Sequence, residues 1–185
     1  GLFPSLALAW NAKEENFLKH SSVVSTLKAR LGWGVTGQQD IGSNYPYLAR
    51  YSMSTSESSM YDMGDKGLIY FLSPSAYDSL IKWEETVTTN AGIDFGFFGD
   101  RISGNIDIYK RETRDLLNTV TIPMGANFSN TLLTNVGSIE NKGAEFALNL
   151  IPVSTRDWNV QMGLTGTFQS TKFTKLTSVD DPTYY

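Results

Sequence analysis

Apolar and polar residues alternate with a period of two along much of the chain. In residues 158–169 every second position is apolar or glycine, and the intervening positions are all polar or glycine. Because successive side chains of a β-strand point to opposite faces, this stretch predicts a strand with one apolar and one polar face. The same alternation predicts strands at 5–11, 27–35, 87–97, 102–109 and 143–150. The pattern therefore predicts an all-β, antiparallel meander of about six long amphipathic strands.

The connections between the predicted strands alternate between short and long. Residues 98–101 and 152–156 are short turn segments, and residues 12–23 form a connection of intermediate length. Two long segments, at about 36–85 and about 114–137, are rich in Gly, Ser, Asn and Tyr. Outer-membrane barrels combine short periplasmic turns with long extracellular loops, so this order favours a barrel.

Two architectures fit the alternation, a membrane barrel and a soluble β-sandwich that binds glycans. Strands of about 9–14 residues match a tilted transmembrane strand, whereas sandwich strands are most often about 5–6 residues long. The polar faces carry glycines and amides, as a water-filled lumen allows. Aromatic residues that the alternation places at strand ends would form the interfacial girdles of a barrel: Trp10, Trp33, Phe97, Phe98 and Trp158. The barrel is the favoured prediction, and the sandwich is the alternative.

Composition argues against nucleic-acid binding and against several kinds of metal site. The 185 residues include 15 Lys and Arg against 19 Asp and Glu, for a net charge of −4, which gives no basic face for nucleic acid. The chain has no cysteine and one histidine, so disulfides, thiolate metal sites and multi-histidine metal sites are excluded. We predict neither a metal nor a cofactor.

No set of residues in the sequence predicts an enzyme. His20 precedes Ser21 and Ser22, but a nucleophile needs a base and an orienting group across space, which neighbours on a loop do not supply. Three carboxylates, Asp94, Asp107 and Glu145, fall on the polar faces of predicted strands. We expect them to be hydrated and unpaired residues of a polar channel wall.

Four segments carry a resemblance to a known family. Residues 82–117 read K-W-E-E-T-V-T-T-N-A-G-I-D-F-G-F-F-G-D-R-I-S-G-N-I-D-I-Y-K-R-E-T-R-D-L-L, and residues 135–145 read N-V-G-S-I-E-N-K-G-A-E. Residues 1–5 and 34–39 also match family positions. The sequence resembles the SusC/RagA family of TonB-dependent outer-membrane transporters along nearly its whole length.

The resemblance implies a receptor larger than this sequence. Such receptors have a 22-stranded barrel, a plug domain in the lumen and a TonB-contacting segment, and they import oligosaccharides or peptides across the Gram-negative outer membrane with a SusD-like surface lipoprotein. We identify no plug-like region in the sequence and no TonB-contacting segment. Residues 1–185 are therefore expected to be a partial barrel domain, with 178–185 as loop and not as the closing strand.

The segment of about 36–85 is the candidate recognition surface. Eight aromatic residues stud this polar stretch, and Tyr or Trp side chains suit sugar faces and protein interfaces. We select Tyr45, Tyr47, Tyr51 and Trp83 as candidate residues for binding ligand or partner. Self-packing of the loop is the alternative. Trp83 belongs to the K-W-E motif, so it has a second possible role as an anchor for the following strand.

Overall fold

The computed structural model describes residues 1–38, 40–42, 44–53, 60–123 and 129–175, and they form two compact units. One unit combines Gly1–Gly37, Glu85–Arg114 and Ser138–Thr174, and the other contains the two long connections, Gln38–Glu84 and Asp115–Gly137. None of the helical segments in this described part of the chain is long and apolar enough to span a membrane.

The described residues are almost entirely β-strand and connecting turns. In chain order the strands are β1 (Ser5–Asn11), β2 (Val24–Gln38), β3 (Arg50–Met53), β4 (Tyr61–Asp62), β5 (Leu68–Ile69), β6 (Leu72–Ser75), β7 (Glu84–Phe97), β8 (Ile102–Arg114), β9 (Leu117–Thr121), β10 (Thr131–Asn135), β11 (Ser138–Ser154) and β12 (Asn159–Lys175). Short 3-10 helices occupy Ala12–Glu14 and Gly64–Lys66.

The six long strands form one antiparallel sheet in the order β1-β2-β7-β8-β11-β12. This confirms the predicted all-β fold. The strands belong to a single sheet, so the described residues do not form the two face-to-face sheets of the sandwich alternative. All six predicted strands are present, and each except β1 is longer than predicted. Backbone pairing continues where the apolar alternation stops, as between Thr113 and Ile139.

The strand register collects the apolar residues on one face. Ile106 lies opposite Ile93 on one side and Phe146 on the other, and Leu8 lies opposite Leu31. A slip of one residue would send each of these side chains to the polar face, so the alternation and the pairing specify the same register. The two faces predicted from the sequence are therefore those of the sheet.

The apolar face of the sheet is exposed. Among the described residues, Ala12 is the single hydrophobic residue that is buried. Large side chains of the apolar face, including Leu6, Ile106, Met162 and Leu164, each expose half or more of their surface. The sheet thus separates apolar from polar side chains, but among the described residues no hydrophobic core packs against its apolar face.

The short connections all join strand ends on the same side of the sheet, which we call the short-turn edge; the opposite side is the long-connection edge. In the β7–β8 turn, Phe98, Gly99 and Asp100 all have positive φ, and the Ser25 hydroxyl accepts the N–H groups of Gly99 and Asp100. The second turn is Thr155–Trp158 and not 152–156, because β11 continues to Ser154. Pairing of β11 with β8 ends at Leu150, so the missing N–H of Pro152 breaks no bond to β8.

A lysine organises the connection between β1 and β2. The Lys13 ammonium donates to the carbonyl oxygens of Leu18, Lys19 and Ser21. The Ser21 hydroxyl accepts the N–H of Val24, and His20 is exposed in the same turn. Ser21 therefore has a structural role in this turn.

Four of the five aromatic residues predicted at strand ends lie there, and the prediction is wrong for Trp33. Trp10, Phe97, Phe98 and Trp158 lie at or beside the strand ends of the short-turn edge. Trp33 lies within β2, opposite Leu6, because pairing continues through Gly34 with Ser5. The sequence does not show this continuation, since Gly34, Thr36 and Gly37 weaken the local strand pattern.

The two long connections contain three short antiparallel strand pairs that the alternation did not predict. Strand β3 pairs with β6, β4 with β5, and β9 with β10. Strands of two to five residues are too short to display a period. Residues 54–59 and 124–128 of these connections, and the predicted loop at 178–185, lie outside the described residues.

Candidate functional site

A charged cluster crosses three strands on the polar face of the sheet. Arg30 of β2 donates from Nε and Nη2 to the two carboxylate oxygens of Asp94 on β7, both at 2.9 Å. The same Nη2 lies 3.0 Å from Oδ1 of Asp107 on β8. Asn105 donates to the other oxygen of Asp107 at 2.8 Å. One guanidinium therefore joins two carboxylates on neighbouring strands, with the bidentate geometry that arginine favours.

Gly92 makes room for the bridge between Arg30 and Asp107. Gly92 lies on β7 directly opposite Asp107, and a Cβ added there would collide with the Asp107 carboxylate and lie 2.9 Å from Arg30 Nη2. The guanidinium thus crosses β7 at Gly92, where there is no side chain to block it. This gives the glycine of the N-A-G-I-D motif a steric role.

The expectation of unpaired carboxylates is wrong for Asp94 and Asp107. Both carboxylates form ion pairs with Arg30. The period-two alternation predicts Arg30 on the same face, but Arg30 is distant from both carboxylates along the chain. Glu145 lies directly opposite Asp107 in the register and is exposed. The arrangement is a structural brace and offers no nucleophile or proton-transfer pair. Among the described residues, no group of three or more His, Asp or Glu side chains is placed to hold a metal ion.

A second cluster fastens the two long connections to each other. The Asn135 side chain accepts the N–H of Lys82 at 2.7 Å and donates to the carbonyl oxygens of Lys82 and Asp115 at 2.9 and 2.7 Å. Glu84 accepts the N–H of Leu117 at 2.8 Å. The K-W-E and N-V-G motifs, more than fifty residues apart, therefore meet here. We call these contacts the loop clamp.

The aromatic candidates lie on the Gln38–Glu84 connection and are accessible. Tyr45, Tyr47, Tyr51 and Trp83 expose 63, 48, 66 and 43% of their surfaces. The Tyr45 and Tyr47 rings form an edge-to-face pair with centroids 6.3 Å apart. Tyr51 lies on β3 opposite Pro74. Trp83 lies between Lys82 and Glu84, which are both residues of the loop clamp.

Sequence reasoning missed Arg30 and Asn135. Alternation places Arg30 on the polar face, but only the pairing of β2, β7 and β8 reveals its two partners. Asn135 is the first residue of the N-V-G motif, but the motif does not reveal which groups its side chain contacts. The Tyr61–Phe71 pair, with ring centroids 5.3 Å apart, shows that part of the aromatic set packs within the connection itself.

Comparison with known proteins gives a consistent result along the chain. A family model described as "TonB dependent receptor-like, beta-barrel" matches residues 1–184. The sequence is 50% identical over 186 residues to TonB-dependent receptor SusC of Bacteroides thetaiotaomicron, covering 100% of this chain and 18% of that receptor. It is 35% identical to TonB-dependent receptor P3 of Formosa agariphila, covering 97% of this chain and 17% of that receptor.

Solved structures agree with the sequence relatives. The RagAB peptide importer in its closed-closed state matches with a TM-score of 0.78 and 26% identity, over 95% of this chain and 18% of that one. Its open-open state matches with the same TM-score over 98% of this chain and 19% of that one. The chain thus spans less than a fifth of the length of the proteins it resembles.

Replacing Arg30 should destabilise the sheet. The Arg30→Gln variant leaves Asp94 and Asp107 without their shared cation, and we expect a loss of about 1 kcal/mol, because the pairs are partly exposed. The midpoint of urea denaturation of the whole receptor in detergent measures it. Lys28→Gln is the control, since Lys28 lies on the same face of β2 and has no ion pair among the described residues. Equal effects of the two substitutions would contradict the brace.

Replacing Asn135 should loosen the two long connections. Asn135→Ala removes three hydrogen bonds of the loop clamp, so proteases should cut within 38–84 or 115–137 several-fold faster. Asn135→Asp keeps the acceptor for Lys82 and loses both donated bonds, so its cleavage rate should be intermediate. Asn118→Ala is the control, because the Asn118 amide oxygen accepts the N–H of the next residue. Limited proteolysis followed by mass spectrometry tests the order of the three rates.

Proposed function

The chain belongs to the SusC/RagA-type TonB-dependent receptors, and from this membership we propose that the whole receptor imports a bulky nutrient across the Gram-negative outer membrane. The observation that carries the proposal is the long six-stranded sheet with an exposed apolar face, found together with relatives along the entire chain. In this proposal residues 1–185 are one part of a larger barrel whose plug domain lies elsewhere in the receptor.

In a barrel wall the apolar face contacts lipid and the polar face lines the lumen. Phe97, Leu148, Met162 and Leu164 would then face lipid, while Asn105, Gln161 and Thr165 would face the lumen. The Arg30 brace would lie in the lumen wall, where water and polar side chains solvate its remaining charge. The short-turn edge would be periplasmic and the long connections extracellular.

The proposed substrate is an oligosaccharide or a peptide. The RagAB peptide importer named above supports a peptide as substrate, and the resemblance to the SusC/RagA family extends the proposal to oligosaccharides. We propose that a SusD-like surface lipoprotein caps the extracellular mouth and that the TonB complex drives import through the plug. The work of transport would come from TonB, and this part of the chain would supply wall, lumen lining and loops.

The exposed tyrosines of the Gln38–Glu84 connection are the proposed contacts for ligand or lipoprotein. Tyr45 and Tyr47 already form a joint aromatic surface, so binding them costs little further side-chain ordering. Trp83 adjoins Lys82 and Glu84 of the loop clamp, which supports its role as an anchor of β7. We therefore assign recognition to the three tyrosines and assembly to Trp83.

Replacing Tyr45, Tyr47 and Tyr51 together by alanine should reduce nutrient uptake or lipoprotein capture while the receptor still assembles. Truncation of an interface anchor costs about 2 kcal/mol or more, which is a loss of at least about 30-fold in affinity. Growth on defined oligosaccharides or peptides as sole nutrient, in cells that carry only the variant receptor, measures uptake. Lipoprotein co-purification measures capture.

The double variant Tyr70→Ala/Tyr77→Ala is the matched control, because both tyrosines are exposed on the same connection. Trp83→Ala should instead lower the yield of assembled receptor in the membrane. Normal uptake and normal capture by the triple tyrosine variant would place the recognition surface elsewhere.

A charge on the apolar face should be far more costly than on the polar face. Leu164→Arg places a cation in hydrocarbon and should cost about 2–4 kcal/mol near the midplane, whereas Thr165→Arg places it in the lumen and should cost little. The two residues are neighbours on β12, so depth and strand are matched. Unfolding free energies in lipid vesicles compare them, and equal costs would contradict the assignment of the faces.

A further inference from the structure

The apolar face carries a groove that the proposed transport function does not use. It is an open concavity of about 860 Å³, within the volume range of small-molecule sites, and its predominantly apolar lining extends from Leu8 of β1 to Phe168 of β12. The groove exists because small residues occupy its middle: Ala91 of β7 and Ala144 of β11 lie directly on either side of Ile108 on β8. Larger side chains flank them, with Trp33 on the β2 side and Phe168 on the β12 side.

Two lysines close the end of the groove that points to the long-connection edge of the sheet. Lys110 follows Ile108 on the same face of β8, and Lys142 lies directly opposite Lys110 on β11. Glu140 lies between them, 2.9 Å from the Lys110 ammonium and 3.4 Å from that of Lys142. The next residue of β8 on this face, Glu112, lies directly opposite Glu140 and pairs with Arg114 at 2.8 Å, so the three cations and two carboxylates together leave one positive charge in excess at the rim.

We propose that this groove binds a phosphate-bearing acyl lipid of the outer leaflet, with an acyl chain along Ala91, Ile108 and Ala144 and the headgroup phosphate at Lys110 and Lys142. The proposal rests on the proposed outer-membrane location. In that location a lipid tail is the molecule available to an apolar groove on the barrel's outer face, and basic rims beside apolar surfaces select anionic headgroups.

The arrangement of charges distinguishes a site from ordinary lipid contact. The apolar residues Ile102, Ile106 and Ile108 precede Lys110 on one face of β8, so the ammonium marks the level where the apolar belt ends. Lys142 has the longer of the two contacts with Glu140, which leaves its ammonium the more available to a phosphate oxygen. Glu140 holds both ammonium groups near each other without neutralising them.

Trp33 gives a direct readout, because it lines the groove. The whole receptor is reconstituted in bilayers of brominated phosphatidylcholine, whose bromines quench indole fluorescence, and non-brominated phosphatidylglycerol is then added stepwise. The signal of the Trp33→Phe receptor is subtracted to isolate Trp33. We expect phosphatidylglycerol to displace the quencher from Trp33 with a preference of about fivefold or more over phosphatidylcholine.

Variants test each half of the site. Lys110→Gln/Lys142→Gln should abolish the preference, whereas Arg111→Gln, the neighbour of Lys110 on the polar face, should retain it. Ala144→Phe should fill the groove and lower quenching of Trp33 by the brominated phosphatidylcholine, while Leu148→Phe, further along the same face of β11, should not.

The possible failures are distinguishable. Quenching of Trp33 without a preference for phosphatidylglycerol, or a preference that survives the double lysine substitution, overturns the lipid site and leaves the barrel proposal intact. Absence of Trp33 quenching by brominated lipid in an inserted receptor places the groove away from lipid and overturns the site as well. A receptor that does not insert into any bilayer overturns both proposals.

Discussion

The register between neighbouring strands is the constraint on which the rest of the structure depends. The described residues bury a single hydrophobic side chain, Ala12, so no core holds the sheet in one arrangement. Backbone pairing does this instead, and it lines up Ile93, Ile106 and Phe146 across three strands. Such a face is unfavourable in water, because its apolar area stays hydrated. In hydrocarbon the same face is solvated, and a strand such as β8 has its backbone paired on both sides, with β7 and with β11.

The same register builds the chemistry of the polar face. Arg30 reaches Asp94 and Asp107 because pairing sets their strands side by side and because Gly92 leaves the space between them. A guanidinium shared by two carboxylates resists sliding of one strand past another, since any slip would separate the charges. In a lumen wall, polar side chains take the place of a packed core. There a brace of this kind favours one strand register, as hydrophobic packing does in other proteins.

The long connections are ordered by different interactions, namely the pairing of short antiparallel strands and the loop clamp near the ends of both connections. Asn135 satisfies the backbone of Lys82 and Asp115, which lie on different connections. A clamp at the root leaves the distal parts of each connection free to present side chains such as Tyr45 and Tyr47.

The sequence by itself determined the fold class, the six long strands and their two faces, because a period of two records which side chains meet apolar surroundings. Its motifs, and not its periodicity, carried the resemblance to the family. It did not determine where pairing stops, so Trp33 was misplaced at a strand end and Pro152 in a turn. The partners of Arg30 and Asn135 depended on tertiary structure, since a contact between distant residues follows from strand order and register. The groove beside Lys110 was decided in the same way: Ala91 and Ala144 are unremarkable in sequence, and only their alignment across three strands makes a concave surface.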